Sequence, residues 1–408
     1  MKKWYSIVFL SVVFLFSSIV SSSAEISSDE LLNILKEKGI ITDKDIEKAT
    51  TSEEPTKKVA QEQEKEQEKD NFIVKAARKP KSVNFKGRVQ ARYTYIENGD
   101  LSKVTNQNAF DESEADGFSI RRVRLRWYGE VIDKLQYHIH VSVDGDSADA
   151  DDDEVGVKLQ DAYFTYAHHP YFNVTAGQFK ARFSPSYLVA GPVLPLCERP
   201  LVVDKIGRKR EIGISLESAK NGEFDDRGHG AKLHDKPFYY AVGLYNGNTF
   251  NHLENDNDNM MLTAMVVYRP IKYINFGTSY AFNQTGNDDA TKRLNIWDFN
   301  SALDVGPFHA QIEYIQEHGH GTNRRYGYGI QGQYDLTDTF QLTARYDEYD
   351  PDRTVDNGFD SRWYTVGYNW FIHGQDIKWQ LNYTLRKEMH ANYHEDNDIL
   401  VTHFQILF

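Results

Sequence analysis

The chain has 408 residues, 13% of them aromatic, and its 47 Lys and Arg stand against 60 Asp and Glu, a formal charge of −13. That acidic balance argues against a dedicated nucleic-acid binder, and the single cysteine, Cys197, excludes a disulfide framework and a cysteine-based zinc site. A mean hydropathy of −0.61, with no internal apolar run near 20 residues, excludes a bundle of membrane helices but not a membrane protein made of strands, where lipid-facing and lumen-facing residues alternate.

At the N-terminus Lys2 and Lys3 precede an apolar stretch from Ile7 to Phe16 and then small residues ending in Ala24. This order of charged, apolar and small-residue regions reads as a secretory signal peptide over residues 1–24. Its removal leaves 45 basic against 60 acidic side chains, a charge near −15. Residues 25–80 read as a short helical extension and linker. Ser28 or Asp29 is placed to cap a helix bearing Leu31, Leu32 and Leu35 that stops at Gly39, and Thr42 or Asp43 a second one containing Ile46. The run from Gln61 to Asp70 has no apolar residue and so cannot bury a core; a coiled coil is the less favoured reading because its apolar positions do not persist over several heptads.

From Val83 the period changes to two. Val83, Phe85, Val89, Ala91, Tyr93 and Tyr95 alternate with Asn84, Lys86, Arg88, Gln90, Arg92 and Thr94, and similar alternation runs through residues 135–143, 377–386 and 400–408. The pattern predicts sixteen strands, near 83–96, 117–131, 134–144, 155–167, 171–183, 210–218, 237–246 and 258–269, then near 272–283, 292–303, 307–317, 324–335, 339–349, 361–371, 376–387 and 397–408. Connections after even-numbered strands are mostly tight and those after odd-numbered strands long, with 219–236 breaking the rule. An even strand count with short turns at one end and long loops at the other fits an all-β, 16-stranded antiparallel transmembrane barrel over residues 81–408. A soluble β-sandwich is disfavoured, since strands so uniformly one-sided over this length exceed what one soluble core usually holds.

If the apolar faces meet lipid, the polar faces line a lumen. Between Ser119 and Trp127 that places Arg122, Arg124 and Arg126 on one inward row, about 6.6–6.8 Å apart along the strand, with Arg88 and Arg92 on the preceding strand. Guanidiniums keep their charge and offer forked donors to phosphate or carboxylate, so such a row favours anions. The competing reading pairs them with lumenal acids such as Glu130, Asp144, Glu313 or Asp347. The connection 184–209 is long, Pro-rich and apolar. It folds into the barrel or against a neighbouring subunit; in the preferred first case Arg199, Lys205, Arg208, Lys209 and Arg210, with Lys180 and Arg182 at the preceding strand end, approach the constriction. The acidic run Asp144–Glu154 lacks EF-hand spacing and reads as an exterior loop. His138, His140, His168, His169, His318 and His320 sit in no recognisable catalytic motif, and alternating His138 and His140 read as lumen lining.

The segments 117–131 (GFSIRRVRLRWYGEV), 159–166 (LQDAYFTY), 174–185 (VTAGQFKARFSP) and 198–202 (ERPLV) resemble the phosphate-selective porin O and P family of Gram-negative outer membranes, over roughly residues 81–408. The resemblance implies a trimeric sixteen-stranded barrel whose inward Arg and Lys guide anions, with Arg122, Arg124, Arg126, Lys180 and Arg199 as the carried-over positions. It also implies that the terminal Phe408 belongs to the signal read by the barrel-insertion machinery.

The sequence thus points to a Gram-negative outer-membrane channel for passive diffusion of small anions, phosphate or polyphosphate among them, embedded in lipid and lipopolysaccharide, with its N-terminal extension in the periplasm. A general or sugar-admitting porin is the alternative, and an outer-membrane enzyme the less favoured third reading. No catalytic residue, metal or cofactor is expected, and no nucleic-acid partner.

Overall fold

The structure, a computed structural model, describes residues 80–97, 116–143, 156–169, 171–218, 237–249, 251–255, 257–285, 292–320, 324–354, 358–390 and 397–408. The expected signal peptide, the helices and linker of 25–79 and the acidic run Asp144–Glu154 lie outside the described residues. Eight strands form the first half: β1 (Asn84–Ile96), β2 (Gly117–Ile132), β3 (Leu135–Val143), β4 (Val157–His169), β5 (Phe172–Lys180), β6 (Arg210–Glu217), β7 (Phe238–Tyr245) and β8 (Met261–Ile271). Eight more complete it: β9 (Ile274–Thr285), β10 (Lys292–Val305), β11 (Phe308–His320), β12 (Arg325–Asp335), β13 (Phe340–Asp350), β14 (Gly358–Gln375), β15 (Ile377–His390) and β16 (Ile399–Leu407).

Each strand pairs antiparallel with its sequence neighbours, and β16 pairs with β1 to close the barrel. Closure leaves no sheet edge in hydrocarbon, where every backbone amide needs a partner. The seam runs to the last residue: Gly87 N–H donates to the Phe408 carbonyl at 2.6 Å, and Phe408 N–H donates back to the Gly87 carbonyl at 3.1 Å. The strands lie within a few residues of where the alternation placed them; β8 starts three residues late and β11 and β15 end three residues late, and two further differences stand out. β5 ends at Lys180, short of 183, and β14 runs from Gly358 to Gln375, beyond 361–371.

The two faces separate as the period of two requires. On β1, Phe85, Val89 and Tyr95 are exposed on the outside while Arg88, Gln90, Arg92 and Thr94 are buried on the inside. Outward aromatics gather at two levels. Phe85–Trp127 (centroids 5.3 Å), Phe238–Tyr268 (4.7 Å) and Phe340–Trp370 (6.0 Å) stand toward the short-turn end. Tyr93–Phe118 (4.9 Å), Tyr280–Trp297 (4.5 Å) and Tyr346–Tyr364 (5.0 Å) stand toward the long-loop end. Phe85 and Tyr93 are separated by about 27 Å along the strand, and a tilt of about 40° brings the two levels close to the apolar band of an outer-membrane barrel.

The lumen is not empty. Between β5 and β6 the chain forms α1 (Pro185–Leu188), a 3-10 turn (Gly191–Val193) and α2 (Leu201–Lys205). Phe183, Tyr187, Leu201, Val202, Val203 and Ile206 of this segment pack with the inward-facing Ala281, Ile296, Ile315 and Tyr349, and Leu188 packs with Tyr239, Ala241, Met265 and Val267. This apolar core therefore sits inside the barrel, against β7–β11 and β13.

Gly177 on β5 has φ +123 and a Cβ there would run into the backbone carbonyl of Ala162 on β4. Gly177→Ala is expected to destabilise the barrel by about 1–3 kcal/mol, read as a lower temperature for loss of the heat-modifiable folded band on a gel.

Candidate functional site at the inward loop

Why does the 181–209 segment hold its place across the lumen? Its apolar side chains bury one surface, but its Pro-rich backbone leaves carbonyls without intrasegment donors, and the far wall supplies them. Lys378 Nζ on β15 donates to the carbonyls of Pro192 (2.6 Å) and Leu194 (3.1 Å), Asn369 Nδ2 on β14 to Pro195 (2.7 Å), and Gln405 Nε2 on β16 to Pro192 (3.3 Å). Arg345 Nη1 on β13 reaches the Glu198 carbonyl at 2.8 Å, and Asp347 accepts from Leu201 N–H at 2.9 Å. At the start of the loop, the Ser184 hydroxyl donates to Glu313 Oε1 at 2.6 Å, and Ser186 donates to Oε2 of the same carboxylate. The loop thus folds into the barrel. Beneath it a cavity of about 600 Å³ opens toward the short turns, lined by Val193, Leu194, Pro195, His309, Asp335 and Phe371 among others.

Against the loop stands the arginine wall. Arg122, Arg124 and Arg126 face inward on β2 beside Arg88 and Arg92 on β1. A β-bulge adds one more. Gln90 pairs with Arg122 while Ala91 pairs with Ile120, so Arg121 is the extra residue. The bulge brings Arg121 to the lumen, where its Nε lies 2.9 Å from Glu198 Oε1. Arg122 Nη2 lies 2.9 Å from Glu198 Oε2, and Arg92 pairs with the same carboxylate. Three guanidiniums therefore converge on one acid from the loop, and none of the wall acids named from sequence takes that place. Glu130 meets Lys81 at 3.2 Å, Glu313 meets the two serines, Asp347 meets Arg345 at 2.6 Å, and Asp144 lies outside the described residues. Burial pushes the Glu198 carboxyl up, but Arg121, Arg122 and Arg92 outweigh it and hold the group well below the usual carboxylate range.

Four other cations have no carboxylate within ion-pair distance among the described residues. Arg88 lies against the loop at Gly191, where a Cβ would come within 2.7 Å of its Nη1, and the charges of Arg122, Arg124, Arg126 and Arg199 act on it. Arg126 stays half-exposed to the lumen. Lys180 donates to the carbonyls of Tyr187 (2.8 Å), Leu188 (3.1 Å) and Val189 (3.0 Å). Arg199 donates to the Val189 carbonyl (2.7 Å) and lies over the Tyr187 ring at 5.1 Å. Burial lowers the pKa of Arg199, and the Arg210 guanidinium adds to that effect. These are neutral partners, so the positive charge is oriented but not cancelled.

Of the remaining residues singled out from sequence, Arg210 binds Asp161 in fork geometry, at 2.8 and 3.1 Å, close to Lys180. Arg182 is 1% exposed and paired with Glu217 at 2.9 Å, which places it behind the loop. Arg208 reaches Glu317 at 3.4 Å, an acid it shares with Arg325, apart from the wall. Cys197 is buried in the loop, and burial pushes its thiol up to about 12. Arg121 and Glu198 escaped the strand-parity reading. Arg121 sits on the apparent lipid side unless a bulge is known, and Glu198 lies in a loop whose contacts are decided across the lumen.

Glu198→Gln removes one negative charge from the clamp and is expected to raise the anion-to-cation permeability ratio by a few fold, about what about 1 kcal/mol of water-screened Coulomb energy gives. Because the folded-state pKa of Glu198 is depressed, the charge persists as pH falls through the ordinary carboxylate range near 4.5 and is lost only below it. Wild-type reversal potentials at pH 7 and pH 5 should therefore differ little through this residue, and Glu198→Gln should show the raised ratio at both.

The chain matches the family described as phosphate-selective porin O and P over residues 83–408. No curated protein matches it in sequence. Among solved structures it is similar to the outer membrane channel DcaP of Acinetobacter baumannii, with 16% identity and a TM-score of 0.56, covering 80% of this chain and 97% of that one. It is also similar to an anion-selective porin from Comamonas acidovorans, with 13% identity, a TM-score of 0.55 and coverage of 80% and 99%. The trimer form of OmpT from Vibrio cholerae matches with 10% identity, a TM-score of 0.51 and the same coverage. These likenesses are of fold. The family match over most of the chain, on a closed sixteen-stranded barrel with an inward loop, makes this protein an outer-membrane channel that belongs to the phosphate-selective porin O and P family.

Proposed function

We propose that the channel passes small anions, with phosphate- and carboxylate-bearing solutes as its preferred class, and that the selectivity resides in Arg88, Arg126, Lys180 and Arg199. The observation that carries this reading is the concentration of these cations where loop and wall face each other, without a carboxylate at ion-pair distance among the described residues; Lys180 and Arg199 are met by carbonyls and an aromatic ring instead. Each such charge beside a water-filled passage contributes about 1 kcal/mol at about 4 Å, or roughly fivefold in local anion concentration. Arg92, Arg121 and Arg122 hold Glu198 and serve to set the loop; with Arg124 on the same inward row they add to the field. Arg182, Arg208 and Arg210, each bound to an acid, are assigned to holding the loop root.

Forked guanidiniums suit phosphate oxygens, which supports phosphate or polyphosphate as a solute within that class. Assembly as a homotrimer, insertion through the terminal Phe408, lipopolysaccharide around the long loops and a periplasmic location of residues 25–80 belong to the same proposal.

The test is the reversal potential of the reconstituted channel in a potassium chloride gradient. Wild type should prefer anions. Arg126→Glu and Arg199→Glu should each cut the preference by about fivefold or more, and Arg124→Glu should weaken it as well. Cation preference in wild type would overturn the reading. Added inorganic phosphate should reduce the chloride current of wild type more than that of Arg126→Glu.

A further inference from the structure

The geometry points to a divalent transition-metal site on the lumen wall, formed by His138 and His140 of β3. Both imidazoles project inward, two residues apart on one strand, and one nitrogen of each lies within 4.8 Å of the other and of a carboxylate oxygen of Asp161 on β4. His140 is 6% exposed, and its Nε2 is buried with no hydrogen-bond partner. Its Nδ1 is 2.8 Å from Asp161 Oδ2. Asp161 is itself fixed by the two donors of Arg210 at 2.8 and 3.1 Å.

That chain of contacts has a specific chemical consequence. A carboxylate locked by an arginine accepts a hydrogen bond from Nδ1–H, which leaves the Nε2 lone pair of His140 free. This is the way metal-ligating histidines are oriented by an outer carboxylate. The Asp161 oxygens, already engaged by Arg210, orient the site and do not ligate. His138 provides the second nitrogen. Its ring is held by stacking on Tyr163 (4.8 Å, 13°) and, more loosely, on Tyr128 (6.1 Å, 27°). Stacking occupies the ring faces and leaves the nitrogens at the edge, and no described residue hydrogen-bonds them.

Two imidazoles with lumen water suit zinc, nickel or copper, while magnesium and calcium prefer oxygen ligands. In the ladder His140 pairs with Arg126 and His138 with Tyr128, so a bound ion would sit at the wall of the passage beside the half-exposed Arg126. The neighbouring Arg126 and Arg210 charges oppose a dication, so the site is one of modest affinity, filled and emptied with the metal concentration outside. Occupancy would narrow the passage, and the inferred consequence is a channel throttled by zinc.

Single-channel current is measured in fixed potassium chloride while zinc chloride is titrated, with magnesium chloride as the comparison. Each current is scored against its own metal-free value, so the result does not depend on which ion the channel prefers. Wild-type current should fall with zinc and not with magnesium, and His138→Phe, which keeps a ring in the Tyr128–Tyr163 stack, should need about 10-fold more zinc or higher. His140→Ala should behave alike; if it fails to fold for want of the Asp161 contact, His138→Phe decides alone. Zinc calorimetry on the detergent-solubilised protein should show heat of binding in wild type that His138→Phe loses. An unaffected wild-type current, or a zinc effect of equal size in His138→Phe, would overturn the site.

Discussion

Hydrogen bonding of the backbone in a medium without water is the constraint from which the rest of this molecule follows. A strand in hydrocarbon must pair on both edges, so the sheet closes, and closing it divides every strand into a lipid face and a lumen face. The seam shows how completely the rule is met, since the C-terminal Phe408 exchanges both of its backbone bonds with Gly87. Most of the polar side chains of the strands are then directed inward, including the charges that give the channel its character.

The same constraint, applied a second time, explains the loop. A Pro-rich apolar segment in a lumen has carbonyls to satisfy and grease to cover. The wall answers with Lys378, Asn369, Gln405 and Arg345 for the carbonyls, and with Ala281, Ile296, Ile315, Tyr239 and Met265 for the side chains. Inward apolar residues at β7–β11 are an exception to the polar lumen, and they occur where the loop docks. Constriction and wall are thus one packed unit, and Glu198 ties that unit to the arginines of β1 and β2.

Net charge is a poor guide to such a channel. The chain is acidic by 13 charges, yet at the place where loop and wall meet, Arg88, Arg126, Lys180 and Arg199 gather, Lys180 and Arg199 on carbonyl partners. Permeation responds to the field within a Debye length or less of the path, about 8 Å at physiological salt, so acids on distant loops count for little beside cations in the passage.

The barrel was legible in the residues because a period of two, sustained for sixteen strands with tight turns after the even ones, has few other physical realisations; parity alone turned Arg88, Arg92, Arg122, Arg124 and Arg126 to the lumen. The apolar run 184–209 announced itself as unfit for water, and its inward fold followed. Even the doubly apolar strand Met261–Ile271 carried a signal, since an inward face bearing Met265 and Val267 needs something to cover it. What one-dimensional pattern could not decide was pairing across the lumen. A bulge that turns Arg121 inward depends on how β1 and β2 register. The choice of Glu198 over Glu130, Glu313 or Asp347 as the acid of the arginine wall depends on where a folded loop ends its crossing. The meeting of Asp161 with Arg210 and His140 joins residues 49 and 21 positions apart. Alternation is a local property of the backbone and can be read locally; electrostatic partnership is set by distances through the lumen, which only the closed barrel defines.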